Sequence, residues 1–285
     1  AAFPITFTYK NKGYIKEIVE IPYQRWYRAI FQRRSRRLYN CLHIGKETFE
    51  KLISICNNFH PFDSARAIIT ENTKGIFKGI IGAYGKIRGS PSFIAFIGDM
   101  RDRNVQEKVG YTGEGIILEA TSLGLGTCWV GKSFDPEIAT SFIELKEYEK
   151  VIAVASVGYA SLEESFEEKL LTGFGKAHHR KPLGKMTGGI KESELSGWIR
   201  EALVSARLAP SAVNRQPWRF FVEENSITVS VDNLNDSYGI SKRLDCGIAM
   251  LHIEVAALYF GVSGKWEFLE PPDVAKFKIE SEISG

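Results

Sequence analysis

The stretch Ala209-Pro210-Ser211-Ala212-Val213-Asn214-Arg215-Gln216-Pro217-Trp218 concentrates the groups best suited to holding a ligand. It lies between an amphipathic run at 198–208 and a β-like run at 219–222, so a helix should end in a polar loop that feeds a strand. Such a loop offers free backbone N–H groups and amide side chains at the edge of a core. That suits a flat heterocycle with hydrogen-bonding edges. A second concentration is Arg33-Arg34-Ser35-Arg36-Arg37. Guanidinium forks beside a hydroxyl match a phosphate monoester, although an isolated basic cluster is more often a solvated turn. His178-His179-Arg180-Lys181, before Pro182-Leu183, could close on the same phosphate or be plain linker. No carboxylate or cysteine stands at ligand spacing from His178 and His179, so no metal is expected there.

Other chemistries find no support. The five histidines show no triad spacing, and neither a GxSxG elbow nor a GxxxxGK[ST] loop occurs. Gly124-Leu125-Gly126-Thr127-Cys128-Trp129-Val130-Gly131 follows a helix and lacks a third glycine, so it is no dinucleotide fingerprint. It reads as a glycine helix stop with Trp129 in the core, or as backbone amides near Val130 and Gly131 approaching a ring. His60, His252 and Cys128 read as structural. Phe62, Tyr84, Tyr111 and Tyr238 are candidate pocket walls that the sequence cannot place.

The elements that must position these groups follow from periodicity. Strands are expected at 3–9, 92–98, 151–158, 219–223 and 227–231, and helices at 22–32, 47–57, 105–123, 192–208 and 246–260. Residues 169–189, rich in Gly, Lys and His, read as a linker or crossing loop. A chain of 285 residues can bury one large core or two small ones. Its net charge of +3 is too small to imply nucleic acid. Cys41, Cys56, Cys128 and Cys246 form no CxxC pair, which fits reduced thiols in a cytoplasmic protein. The apolar runs are strand-sized, so no membrane span is expected, and no signal peptide is read at the N-terminus.

The chain also repeats itself. A shift of 137 places Gly110 on Gly247, Leu118 on Val255, Ala120 on Ala257, Gly124 on Gly261 and Trp129 on Trp266. A shift of 149 places Phe49 on Trp198, Ile55 on Val204 and Pro61 on Pro210. Two diverged copies of one α+β unit are therefore expected, divided as 1–187 and 188–285. They differ where chemistry is concerned. Ser211 faces Phe62, Asn214 faces Ala65, Gln216 faces Ala67 and Trp218 faces Ile69, while 182–186 has nothing like the arginine cluster.

Taken in order, these segments resemble the flavin-dependent nitroreductase superfamily. Arg33 to Arg37 is similar to its RRSxR/K turn, the 209–218 loop to its APSxxNxQPW loop, 114–131 to its long core helix ending in GLGTCW, and Arg180-Lys181-Pro182-Leu183 to its Arg-x-Pro-Leu turn. The order departs from the ordinary family, where the polar loop follows the RRS turn closely within one domain and two subunits share elements. Here the loop comes last, as if both subunits had been fused, and the chain resembles a smaller two-domain subfamily. The resemblance implies an α+β nitroreductase-like fold, an intramolecular pseudo-dimer that needs no second chain, and one composite FMN site.

By the same resemblance, Arg33, Ser35 and Arg180 would hold the FMN phosphate, with Arg34 and His178 as further candidates. Arg37 would stabilise the reduced flavin at its N1/C2-carbonyl edge. Pro210, Ser211, Ala212 and Asn214 would cover the ribityl chain and ring, and Val130 and Gly131 would lie near N5 and the C4 carbonyl. Electrons would pass from NAD(P)H through FMN to a small electron-poor acceptor such as a nitroaromatic or quinone, with no catalytic side chain required. Competing readings keep the flavin with an enone or halogenated aromatic acceptor, or keep it without turnover. A nucleic-acid module using the Arg33 cluster predicts salt-sensitive binding and lacks an aromatic platform.

Overall fold

The computed structural model describes residues 20–71, 73–77, 86–161, 179–189, 195 and 197–282. The strand expected at 3–9, Tyr84 and His178 lie outside them. The helices are α1 (Tyr23–Gln32), α2 (Lys46–Asn58), α3 (Val105–Ser122), α4 (Pro136–Ser141), α5 (Gly197–Arg207) and α6 (Lys242–Tyr259). The strands are β1 (Ala65–Thr70), β2 (Ser92–Asp99), β3 (Gly126–Val130), β4 (Glu149–Gly158), β5 (Thr187–Gly188), β6 (Trp218–Glu223), β7 (Ser226–Val231), β8 (Val262–Phe268) and β9 (Asp273–Glu282).

Two sheets of matching topology result. One runs β1-β2-β4-β3 and the other β5-β6-β7-β9-β8, so β6-β7-β9-β8 repeats the order of the first. All these pairings are antiparallel except β5–β6. The irregularity at Phe96/Ile97 in β2 is matched at Val229/Ser230 in β7. The boundary expected at 187/188 falls within β5, and the pairing of Thr187 with Phe220 ties it to the second sheet.

The sheets are covered differently. β2 is buried on both faces: Ile94 and Phe96 join the main core, while Phe93, Ala95 and Ile97 meet a smaller cluster that includes Ala139, Ile143 and Val154. Hence its unbroken apolar sequence. β6 alternates Trp218 and Phe220 inward with an exposed Phe221 outward, the pattern of a sheet with one wet face.

Helices α3 and α6 carry the main core between the sheets and are buried nearly all round, with the acids Glu107, Glu114 and Asp245 buried among their apolar residues. They touch backbone to backbone. A Cβ on Gly110 would overlap the Leu244 carbonyl oxygen, and one on Gly247 would overlap that of Glu107. The 137-residue shift that carries Gly110 onto Gly247 also carries Glu107 onto Leu244. The contact is therefore reciprocal, the signature of a two-fold interface, here within one chain.

Candidate functional site

The polar loop closes α5 and enters β6, and it is built almost entirely on side-chain-to-backbone bonds. Val213, Asn214 and Gln216 have φ of 46, 55 and 49°, a left-handed backbone that ordinary side chains avoid. The turn holds because its polar groups are satisfied there. Ser211 Oγ accepts from the Gln216 N–H at 2.9 Å. Gln216 Oε1 accepts from the Lys181 N–H, and its Nε2 donates to the His179 carbonyl. Lys181 Nζ donates to the carbonyls of Arg215 and Gln216. Asn214 accepts from Arg180 and donates to the His179 carbonyl. The 179–181 segment is thus bolted to the 209–218 loop. The hydroxyl of Ser211 and the amide of Asn214 are engaged inside the structure.

Beneath the loop lies Asp245, on the first turn of α6. It accepts from the Ala212 N–H at 3.1 Å and from Arg215 Nε at 2.7 Å. Burial pushes its carboxyl up to about 6 while Arg215 and the Ala212 N–H pull the other way. Arg215 also donates to the carbonyls of Ser237 and Ile240. Ile240 in turn packs on Gly131 of the first copy, where a Cβ would meet Ile240 Cδ1 at 2.7 Å. One guanidinium therefore connects the polar loop, the 237–240 turn and the end of β3.

The arginine turn sits across the seam. Ser35 bridges to Thr127, and the Arg36 N–H donates to the Thr127 carbonyl, fixing the turn to β3. Arg37 Nη1 reaches the Ser35 carbonyl at 3.4 Å, and the Arg37 carbonyl accepts from the Arg88 N–H, so this residue stays with the first sheet. Arg33 is buried at 6% exposure, its Nε 3.8 Å from Glu114 Oε1. Glu114 also accepts from Trp129 Nε1 and faces His252 Nε2 at 3.0 Å. His252 Nδ1 lies 2.9 Å from the Ser205 carbonyl. A carbonyl can only accept, so Nδ1 is the donor to Ser205.

Arg180 draws the two copies together. It donates to Asn214 and, at 3.1 Å, to the Leu208 carbonyl. Burial together with the positive charges of Arg33, Arg34 and Arg207 pulls its guanidinium down to about 10. Arg33 is likewise lowered, by burial and by Arg34, with Glu114 opposing. Arg33 and Arg34 thus lie near enough to Arg180 for their charges to act on it. Arg207, the last residue of α5, joins them; periodicity had marked it only as part of an amphipathic run. Among the described residues, Arg34, Arg180 and Arg207 make no salt bridge.

The mirror-related position looks different. The counterpart of Ser211 is Phe62, and the 137-residue shift makes Phe268 the counterpart of Gly131. These rings meet edge to face at 5.6 Å, and Tyr111 joins Phe62 at 5.3 Å. Asp245, which holds the polar loop, corresponds to Lys108, whose Nζ lies 4.8 Å from the Phe268 centroid. Hydroxyl, glycine and carboxylate on one side are matched by two rings and an ammonium on the other. Phe62 and Tyr111 are therefore packing here. Tyr238 stands 63% exposed in the 237–240 turn.

Glu254 completes the aromatic side, accepting from Tyr111 Oη and Trp266 Nε1, both at 2.7 Å. Burial raises its carboxyl to about 7 against those two bonds. The folded chain thus binds this proton more tightly than the unfolded chain. The stabilisation is complete below the unfolded value near 4.5 and is lost as pH rises through 7. Unfolding free energy should rise by about 1–2 kcal/mol between pH 8 and 5.5 on account of Glu254. Urea titrations of wild type and Glu254→Gln at both pH values check this, and an equal pH response in the two would refute it.

A family model described as "Putative TM nitroreductase" matches residues 25–257. Among solved structures, a nitroreductase from Thermotoga maritima MSB8 aligns with a TM-score of 0.63 and 19% identity, covering 89% of this chain and 93% of that one. An FMN-dependent nitroreductase from Clostridium difficile R20291 aligns with a TM-score of 0.39 and 20% identity, covering 48% of this chain and 88% of that one. A nitroreductase with bound FMN from Bacteroides fragilis NCTC 9343 gives 0.39 and 20%, covering 49% and 92%. No curated protein matches the chain.

Proposed function

We propose that this chain, which belongs to the TM nitroreductase family, is an oxidoreductase with one FMN per chain, held at the seam between its copies. The observation that carries this reading is the meeting of Arg33 and Arg34 with Arg180 and the polar loop. A dianionic phosphate suits these residues. The positive charges of Arg33 and Arg34 act on Arg180, Arg33 Nε is buried without a hydrogen-bond partner, and among the described residues Glu114 is the carboxylate paired there. The aromatic contact of Phe62 with Phe268 supports a single site.

Arg33, Ser35 and Arg180 hold the phosphate in this proposal, assisted by Arg34 and His178. Arg37 offers its charge to the ring edge, and Val130 and Gly131 offer backbone groups beside the ring. Pro210, Ser211, Ala212 and Asn214 form the facing wall. Because the Asn214 amide is already bonded internally and Ser211 Oγ accepts from the Gln216 N–H, that wall contributes shape, backbone dipoles and the Ser211 O–H as donor. FMN, when bound, supplies the redox chemistry between NAD(P)H and a small electron-poor acceptor, a nitroaromatic, a quinone or a similar compound. We further propose a cytoplasmic monomer that binds neither nucleic acid nor membrane. No helix among the described residues is long and apolar enough to cross a bilayer.

The test is the visible spectrum of the purified chain. Bound FMN that bleaches with NAD(P)H and recovers with a nitroaromatic is the expected result. A yellow protein that does not bleach would indicate flavin binding without turnover, and failure to take up FMN on reconstitution would end the reading. Arg33→Ala and Asn214→Ala should each weaken FMN binding about ten-fold or more, the first by removing a buried charge and the second by releasing Arg180 and the His179 carbonyl from the loop. A substitution at Ala65, the counterpart of Asn214, should leave FMN affinity unchanged.

A further inference from the structure

Arg207 is a half-buried cation that the functional reading does not use. It ends α5, the helix that delivers the chain into the polar loop, and its Nε is buried without a hydrogen-bond partner. Neither a salt bridge nor any hydrogen bond holds its guanidinium among the described residues. The buried Nε is a donor left unmet within the protein, and the terminal nitrogens of the same fork remain open to an incoming acceptor. Its surroundings say what that acceptor is. The carbonyl of the next residue, Leu208, accepts from Arg180, and the Ser205 carbonyl two residues earlier faces the His252–Glu114 pair on which Arg33 rests. Arg207 thus lies beside Arg180, on which its charge acts together with those of Arg33 and Arg34, and among the described residues the carboxylate paired there, Glu114, is already shared by Arg33, Trp129 and His252.

We propose that Arg207 is the fourth guanidinium of an oxyanion pocket assembled from both copies, and that a bound dianion is part of what holds the copies together. Empty, the pocket sets like charges against one another, with Arg33 among them buried, which opposes the approach of the arginine turn to the end of α5. A phosphate monoester or inorganic phosphate bridges the two with charge-assisted bonds. By linkage, whatever binds only the closed seam stabilises the fold. The preferred FMN ligand rests on the reading above; the pocket itself does not.

Two measurements on the full chain, dialysed free of flavin and oxyanions, test this. The first is thermal unfolding in chloride and in inorganic phosphate at equal ionic strength. Phosphate should raise the wild-type Tm by several degrees. Arg207→Gln should match or exceed the wild-type Tm in chloride and lose most of the phosphate response. The second is fluorescence titration with FMN and with riboflavin. Arg207→Gln should weaken FMN about 10- to 100-fold and leave riboflavin unchanged, with Arg207→Lys in between. A lower Tm in chloride for both variants, with an unaltered preference for FMN over riboflavin, would make Arg207 merely structural and overturn the proposal. If neither flavin binds while the Arg207-dependent phosphate response persists, the flavin reading fails and the pocket stands. If FMN binds to Arg207→Gln as to wild type, the reverse holds.

Discussion

Gly247→Ala is expected to be among the most damaging single-methyl additions this chain can receive, costing about 4 kcal/mol or more of stability. The added Cβ would overlap the Glu107 carbonyl oxygen and lie 2.6 Å from its carbonyl carbon and 2.7 Å from its Cα. All three are backbone atoms of a buried helix, so no side chain can swing away. Relief requires α3 and α6 to part, and that opens the core both copies share. Gly110→Ala should cost a similar amount, because its Cβ would overlap the Leu244 carbonyl in the reciprocal contact. Gly45→Ala is the control, its nearest neighbour being Tyr159 Oη at 3.7 Å. Once either variant has parted the helices, the other should add less, so the double variant should cost less than the sum. Denaturant midpoints measure all four. A Gly247→Ala loss no greater than that of Gly45→Ala would show that the helices do not pack as described.

That reciprocal seam was legible in the sequence before any coordinate, because a glycine that must admit a neighbouring backbone cannot drift to another residue. The pairing of Gly110 with Gly247 and of Trp129 with Trp266 under one shift carried the two-copy reading. Much of the second sheet was not legible. β8 and β9 place Lys265, Glu267, Lys276, Lys278 and Glu280 at alternate positions, a pattern that imitates a solvated segment. In the fold these side chains pair across the strands, Lys278 with Glu267 and Lys265 with Glu280. α6 begins four residues before the expected 246 for a related reason. Its opening turn carries Lys242, Arg243 and Asp245, which read as surface but are paired with Asp232, Glu107 and Arg215. Ser241 caps it through the Arg243 N–H.

The site shows the same division. Residue types announced the arginine turn and the polar loop, and Arg180 bonds to the loop and feels the charges of the turn. The partners that hold them were hidden, because Asp245, Glu114 and His252 lie on helices that read as plain core, and a single acid in an apolar helix has no spacing to betray it. Arg207 was masked by helical periodicity, which accounts for a charge at a helix end without asking what the charge meets. Sequence identified what could touch a ligand; packing was needed to identify what positions those groups.

Arg215→Met should be nearly as costly as the seam glycines, and it addresses that positioning directly. The Arg215 and Asp245 side chains are 9% and 3% exposed, and the ion pair between them measures 2.7 Å. Removing the guanidinium leaves a buried carboxylate that keeps the Ala212 N–H as donor, a loss of about 3–5 kcal/mol at neutral pH. The pH dependence identifies the cause. With Arg215 present, burial already lifts Asp245 to about 6; without it the carboxyl must rise further. A folded value above the unfolded 3.8 means stabilisation that is complete at low pH and lost as pH rises through the folded value. The deficit of Arg215→Met should therefore be largest near pH 8 and shrink toward pH 5, where the stranded acid is neutral. Arg215→Met combined with Asp245→Leu should recover much of the loss, since an apolar pair leaves no unpaired charge. A deficit independent of pH, or no recovery in the double variant, would mean that the loop depends on Arg215 for its bonds to Ser237 and Ile240 rather than for Asp245. Because Val213, Asn214 and Gln216 keep their left-handed backbone only while the loop is held, flavin affinity should fall together with stability in Arg215→Met and return with it in the double variant.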